Sequence, residues 1–315
     1  VKALNNKLKV AVLMGGIGEE RSISIQSGTC IAEALKKAGF SVIAADISPD
    51  NLNILEDSSI DIFFIALHGK FGEDGQLQQI LEDKSLLYTG SGPEASRLAF
   101  DKIAGKKVFL KAGVVTPKFV TFDDRTRAEQ LETELSKLGS KFVVKPARQG
   151  STIGVSIVND TKSALEAARQ CRSRFGDCIL EEYIAGREIT VGILENRALP
   201  IIEIRPKTGF YNYEAKYIDE KTEFLFDTID DPALIDKISE DALTCFDALG
   251  CRHFARADFI LSSGGIPYIL EVNTIPGFTN HSLLPMAAAK TGLSMSDLCT
   301  TIIEAAYSPL VNRKA

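Results

Sequence analysis

The sequence predicts an open α/β unit at its start and an α+β region after it, on three observations. Val10 to Met14, Val42 to Ile47 and Ile62 to Leu67 are apolar runs separated by helical or polar stretches, the pattern of parallel strands covered on both faces. The middle of the chain loses that regular alternation. Near the C-terminus two β-like runs flank Ser262-Ser263-Gly264-Gly265, which predicts an antiparallel hairpin.

Taken in order, Val10 to Met14 ends in Gly15-Gly16, and a helix is expected from Ser22 to Ala38, closed by Gly39. Two polar, Gly-rich loops leave the ends of the first and third strands: one holds Glu19-Glu20-Arg21, the other His68-Gly69 and Gly72-Glu73-Asp74-Gly75. In a sheet of this kind function sits at the strand C-termini. The middle segment opens with a helix from Lys102 to Ala112. Strands follow at Phe142 to Lys145, Val155 to Val158 and Cys178 to Tyr183, with a helix around Ser163 to Gln170. Later strands are expected at 189–194, 201–204, 257–261 and 268–272, and helices at 233–249 and 294–306. The expected units are residues 1–100, 101–187 and 188–315.

Composition narrows the function classes. Of 315 residues, 45% are hydrophobic and 25% charged, with a net charge of -6; this is a globular balance without the basic stripe of a nucleic-acid surface. The six cysteines form no Cys-x-x-Cys pair, so reduced, partly buried thiols are expected rather than a zinc ribbon or redox motif. No run of about 18 apolar residues occurs, and the first residues carry no signal-peptide core. A soluble, cytoplasmic protein without membrane contact is expected.

The sharpest chemical signal is Arg256-Ala257-Asp258-Phe259-Ile260-Leu261, the turn, then Tyr268-Ile269-Leu270-Glu271-Val272-Asn273. Glu271 and Asn273, two apart on a strand, leave one face, and Asp258 on the neighbouring strand can join them. Two carboxylates and an amide oxygen suit Mg²⁺ holding nucleotide phosphates. The competing reading is a solvated sheet face. Against it, Leu270 and Val272 are expected to face the core while the opposite face gathers Glu, Asn, Asp and Arg. Lys145-Pro-Ala-Arg-Gln-Gly150-Ser151-Thr152-Ile-Gly154 ends a strand with a lysine and a loop of small residues, suited to phosphate. It is not a Walker A loop, and Arg21 breaks a dinucleotide fingerprint after Gly16.

Strand lysine, Gly-Ser loop, Glu181-Glu182-Tyr183-Ile184, then Asp258 and Glu271-Val272-Asn273 resembles the order of motifs in the ATP-grasp superfamily. Further segments resemble D-alanine–D-alanine ligases: His68-Gly-x-x-Gly-Glu-Asp-Gly, Tyr88-Thr-Gly-Ser-Gly, Asp101-Lys102, Gly186-Arg-Glu188, Tyr213-Glu-Ala-Lys216-Tyr217, Gly250-Cys-Arg and Asn273-Thr-Ile-Pro-Gly-Phe-Thr-Asn-His281-Ser282-Leu283. The likeness runs from about residue 8 to 305. It implies a Rossmann-like N-terminal domain before a two-lobed ATP-grasp domain, with ATP between the lobes. The implied reaction makes an acyl phosphate from one D-alanine and ATP, attacks it with the amine of a second D-alanine, and serves peptidoglycan precursor synthesis. The resemblance also implies a homodimer and two Mg²⁺ or Mn²⁺ ions.

Carried onto this sequence, the resemblance puts Lys102 and Lys145 on ATP phosphates, Glu181 and the Ile184 backbone on adenine, and Glu188 on the ribose. Asp258, Glu271 and Asn273 hold the metal. Glu20 accepts the first ammonium beside His68; Arg256 and the Gly277 N–H stabilise the oxyanion. Ser282, the Leu283 N–H and Lys216 hold the second carboxylate. Tyr217, in a loop at 205–223 that resembles the family's closing lid, bonds Ser151 and Glu20. Ordinary roles compete at several positions: a helix-terminal acid for Glu20, a plain N-cap for Ser282 and a structural loop histidine for His281. Gln79, Gln149 and Asn280 depart from the family's usual residues. The general base for the second amine is not identifiable. The rival activities are D-alanine–D-lactate ligation, disfavoured in the family by a tyrosine at the Tyr217 position, and a nucleotide-binding regulator without turnover.

Overall fold

The computed structural model describes residues 8–206 and 222–313. The elements in chain order are β1 (Lys9–Gly15), α1 (Arg21–Lys37), β2 (Ser41–Ile47), a 3-10 turn (Asn53–Glu56), β3 (Ile62–Ile65), α2 (Gln76–Asp83), α3 (Pro93–Phe100), α4 (Lys102–Lys111), β4 (Phe119–Phe122), α5 (Ala128–Leu138), β5 (Phe142–Pro146), β6 (Ser156–Val158), α6 (Thr161–Phe175), β7 (Cys178–Glu182), β8 (Gly186–Leu194), β9 (Arg197–Ala198), β10 (Ile202–Arg205), β11 (Glu223–Leu225), α7 (Pro232–Ala248), β12 (Phe254–Ser262), β13 (Pro267–Asn273), α8 (Leu283–Lys290) and α9 (Met295–Arg313).

Three sheets result. The first is parallel, in the order β2-β1-β3. Along β1 the side chains alternate between two cores: Val10, Val12 and Met14 pack with Ile31 and Leu35 of α1, while Ala11 and Leu13 pack with Leu77 and Leu81 of α2. The second sheet is antiparallel, β4-β7-β5-β6, with Leu131 and Leu135 of α5 and Ala164 and Ala168 of α6 on its buried face. The third runs β11-β10-β8-β12-β13, all antiparallel, with the short β9 beside β8, and is backed by Ile238, Ala242 and Phe246 of α7.

The expected elements recur with their ends shifted by a few residues. The hairpin carries one correction. In β12–β13, Asp258 pairs with Glu271, but the next register position joins Phe259 to Ile269, a β-bulge at Leu270. The extra residue breaks the two-residue alternation, so Val272 and Ile269 are core while Leu270 turns to a cavity beside Glu271. The boundary expected after residue 187 also falls inside a strand, since β8 begins at Gly186. The first unit is not self-contained either: Leu298, Ile302 and Ile303 of α9 share the core of Val10, Val12 and Phe64. Among the described residues no helix is long and apolar enough to cross a membrane.

Candidate active site

Two adjoining cavities open where the second and third sheets face each other and meet the strand ends of the first. One, of about 860 Å³, is lined by Glu20, His68, Lys102, Ser151, Arg256, Asp258, Glu271, Asn273, Gly277, Ser282 and Leu283, among others. The other, about 400 Å³, is lined by Lys145, Glu181, Ile184 and the apolar Val143, Ile157, Ile260 and Leu270. Lys102, Glu188, Asp258 and Glu271 border both. Every predicted site residue within the described regions therefore lines one cavity or the other. Lys216 and Tyr217 lie outside the described residues, as does most of the expected 205–223 loop.

The first sheet delivers two acids and a histidine. Glu20 stands at the N-terminus of α1 without capping it. Its carboxylate accepts from the Ser151 hydroxyl and is 8% exposed. Burial, reinforced by nearby Glu73, raises its pKa above that of an ordinary glutamate. A β-carbon on Gly69 would lie 2.5 Å from Glu20 Oε2, so that glycine makes room for the acid. His68, three residues past β3, has Nε2 3.1 Å from Ser27 Oγ and Nδ1 3.5 Å from Glu73 Oε1. The Phe278 N–H donates to that same serine oxygen at 3.2 Å. Glu73 in turn accepts at Oε2 from the Gly69 N–H at 3.1 Å.

The second sheet and α4 supply the cations. Asp101 caps α4, accepting from the Ile103 and Ala104 N–H groups at 3.0 and 3.1 Å. The Lys102 N–H donates to the Ala147 carbonyl at 2.9 Å, tying the helix start to the chain leaving β5. Lys102 Nζ lies 2.9 Å from Glu271 Oε2 and donates to the Gln149 carbonyl at 2.8 Å. Burial would depress this ammonium, but Glu271, together with Glu181 and Glu20, outweighs it and holds the pKa above the ordinary lysine value. Lys145 Nζ and Lys106 Nζ each lie 2.9 Å from Glu181 Oε1. Burial alone would raise the Glu181 pKa; the two lysines reverse that and hold it below its usual range. Ser151 and Thr152 adopt φ of 53° and 63°, left-handed values uncommon for such residues and frequent where a loop is shaped for function. Glu182, by contrast, accepts from the Lys118 N–H at 2.8 Å, a structural use at the lobe edge.

The third sheet brings the oxygen donors together. Asp258 sits opposite Glu271, and Arg256 opposite Asn273. Arg256 donates to both Asp258 oxygens, at 2.8 and 2.7 Å, and Thr190 Oγ1 donates to Oδ1 at 2.6 Å. The Asn273 amide oxygen accepts from the Ile275 N–H at 2.9 Å, turning the chain into the segment that ends at α8. Ser282 occupies the N-cap position of α8, yet its hydroxyl makes no cap. It accepts from the Thr279 N–H at 2.9 Å, and the start of the helix borders the larger cavity, an arrangement suited to a carboxylate. His281, exposed, lines the same wall.

Among the described residues no group of three or more His, Cys, Asp and Glu side chains could hold a metal. The donor set here is two carboxylates and one amide oxygen, which fits Mg²⁺ sharing its shell with phosphate oxygens. Glu73, Lys106 and Thr116 were not among the expected site residues. Glu73 carried a motif signal in the Gly-Glu-Asp-Gly segment, and Lys106 a spacing signal one helical turn beyond Lys102; Thr116 carried neither.

A family model described as D-ala D-ala ligase C-terminus matches residues 108–304. The chain is 44% identical over 299 residues to the D-alanine--D-alanine ligase of Syntrophotalea carbinolica, covering 95% of this chain and 96% of the relative. It is 38% identical over 301 residues to that of Methylacidiphilum infernorum, covering 95% of each. Its structure is similar to that of the D-alanine--D-alanine ligase of Bacillus anthracis complexed with ATP, with TM-score 0.84 and 32% identity over 98% of this chain and 100% of that one. It is also similar to the VanG D-Ala:D-Ser ligase of Enterococcus faecalis, with TM-score 0.82 and 29% identity over 95% and 99% of the two chains. With these relatives along nearly its whole length, the chain belongs to the D-alanine–D-alanine ligase family and has its ATP-grasp fold.

Proposed function

We propose that the protein joins two D-alanine molecules into D-alanyl-D-alanine, a peptidoglycan precursor, at the expense of ATP, releasing ADP and phosphate. One observation carries this reading: an apolar cavity with a buried lysine–glutamate cluster meets, at Lys102, Asp258 and Glu271, a larger polar cavity that ends in a helix N-terminus. The smaller cavity fits a nucleotide base, with its phosphates reaching the junction. The larger holds two small zwitterions in a row.

In this reading the Glu20 carboxylate receives the ammonium of the first D-alanine, and a carboxylate oxygen of that D-alanine attacks the γ-phosphorus of ATP. ADP departs, and an acyl phosphate remains. Lys102 and Lys145 offset the charge on the transferring group. Asp258, Glu271 and Asn273 would hold Mg²⁺, which when bound shields the phosphate oxygens. The second D-alanine, its carboxylate at Ser282 and the start of α8, adds through its amine nitrogen to the acyl carbon. Arg256 and the Gly277 N–H border the place where the oxyanion develops. The C–O bond to phosphate then breaks and phosphate leaves; the amine, neutral when it attacks, loses one further proton to water or the departing phosphate and keeps one N–H in the amide. Holding the two reactants in line supplies much of the rate. The family resemblance further implies a homodimer working in the cytoplasm, which light scattering checks by a mass of twice the chain.

The acyl-phosphate step has a direct test. D-alanine labelled with ¹⁸O in its carboxylate should transfer one labelled oxygen to each phosphate released, read by mass spectrometry. Unlabelled phosphate alongside dipeptide formation would contradict the route.

A further inference from the structure

Helix α4 carries four lysines; of these Lys102 and Lys106 lie one turn apart, and of that pair only Lys102 borders a cavity. Lys102 lines both; Lys106, on the same helix face, is 0% exposed. A buried ammonium is costly unless it is paired and hydrogen-bonded, and this one is both. Its Nζ lies 2.9 Å from Glu181 Oε1 and donates to Thr116 Oγ1 at 2.5 Å. The Thr116 hydroxyl passes its own hydrogen to the Ile269 carbonyl at 2.7 Å, in the strand that carries Glu271. Lys145 Nζ meets the same Glu181 oxygen at 2.9 Å. Burial pushes the Lys106 pKa down to about 8, with Glu181 opposing the fall.

Two cations therefore share one carboxylate. If Glu181 needed only neutralising, Lys145 would suffice. The second lysine leaves the cluster one positive charge in excess, and of its two ammonium groups only that of Lys145 belongs to a residue lining the smaller cavity. We propose that Lys106 is a positioning residue for nucleotide binding: by sharing Glu181 from behind, it leaves the Lys145 ammonium with charge to offer a phosphate. The proposal rests on the reading of that cavity as the ATP site. Without Lys106, Glu181 and Lys145 close into a neutral pair, and the pull on an anionic ligand is lost while the D-alanine cavity is untouched.

The test uses the full chain with Lys106→Met, a similar volume without charge. KM for ATP and the Kd for ADP measured by isothermal titration should both rise about tenfold, the effect of removing one partly screened charge near the ligand. At saturating ATP, kcat should stay within about twofold of the unmodified protein, and KM for D-alanine should not move. Circular dichroism checks folding. Should Lys106→Met fail to fold, Thr116→Val keeps every charge and removes one anchor of the ammonium, and should raise the same two constants about threefold. Unchanged ATP and ADP constants in the folded Lys106→Met variant, or in Thr116→Val where the first does not fold, overturn the positioning role. So does a loss shared equally by kcat and both substrates. An unmodified protein that binds no ADP overturns the nucleotide reading of the cavity and this proposal with it; binding that is normal in both proteins overturns the proposal alone.

Discussion

Asp258 and Glu271 each keep a cation within 3 Å, Arg256 for one and Lys102 for the other. The two acids are thus oriented by groups to which the proposed mechanism also gives roles, so changing either acid disturbs more than its own proposed place on the metal. Glu271→Gln should lower kcat/KM for ATP at least about 100-fold, while chemical denaturation finds the unfolding free energy within about 1 kcal/mol of the unmodified protein. Turnover close to normal in that variant would remove Glu271 from the metal set. Glu20 gives a pH prediction. Its raised pKa arises first from burial and then from Glu73. Ionised Glu20 is the form that accepts an ammonium, so kcat/KM for D-alanine falls as pH drops through that raised pKa, above the range of an exposed glutamate. Glu73→Gln removes the repulsion and should shift the acid limb to lower pH. An acid limb that stays in place would show that Glu73 does not act on Glu20 through its charge.

At the scale of elements, the site is assembled from ends: the start of α1, the exit of β3, the start of α4, the bulged hairpin and the start of α8. Long apolar runs made β1, β2 and β3 legible, and the period-two spacing of Glu271 and Asn273 announced the hairpin's polar face. The bulge at Leu270 was not legible, because nothing local distinguishes an extra strand residue from an ordinary one. The short α2, α3 and α8 and the four-residue β4 also escaped, since eight residues or fewer give a period little room to show. The contact from Thr116 to Ile269 spans 153 positions and has no trace in either segment alone. Gly277 tests the last of these ends. A β-carbon there would come within 2.7 Å of Ser282 Oγ. Gly277→Ala should therefore displace that hydroxyl and raise KM for the second D-alanine about tenfold, an energy of about 1.4 kcal/mol, with KM for ATP unchanged. Equal effects on both substrates would point instead to a general disturbance of the fold.

Across the whole molecule, one aromatic cluster ties the units to each other. Phe64 of β3, Phe254 of β12 and Phe278 of the segment between β13 and α8 pack with ring centroids 5.6 to 6.3 Å apart, two of the three pairs edge to face. Phe278 also contributes the N–H that holds Ser27, and through it His68. The N-terminal sheet, the C-terminal sheet and the segment between β13 and α8 are thus a single packed body around the larger cavity. The motifs made the chemistry legible, but this shared core was not: Phe64 lies in the expected unit 1–100, while Phe254 and Phe278 lie in the expected unit 188–315. The family assignment and the paired cavities converge on one central claim, that ATP cleavage here is coupled to joining two D-alanines. The most direct measurement supplies ATP, Mg²⁺ and D-alanine, with D-lactate or D-serine added as competitors, and identifies the products by mass while counting phosphate. The account predicts one D-alanyl-D-alanine per phosphate, none with L-alanine, and dipeptide as the main product in the mixtures; phosphate release that ignores D-alanine, or a main product carrying D-lactate or D-serine, would contradict it.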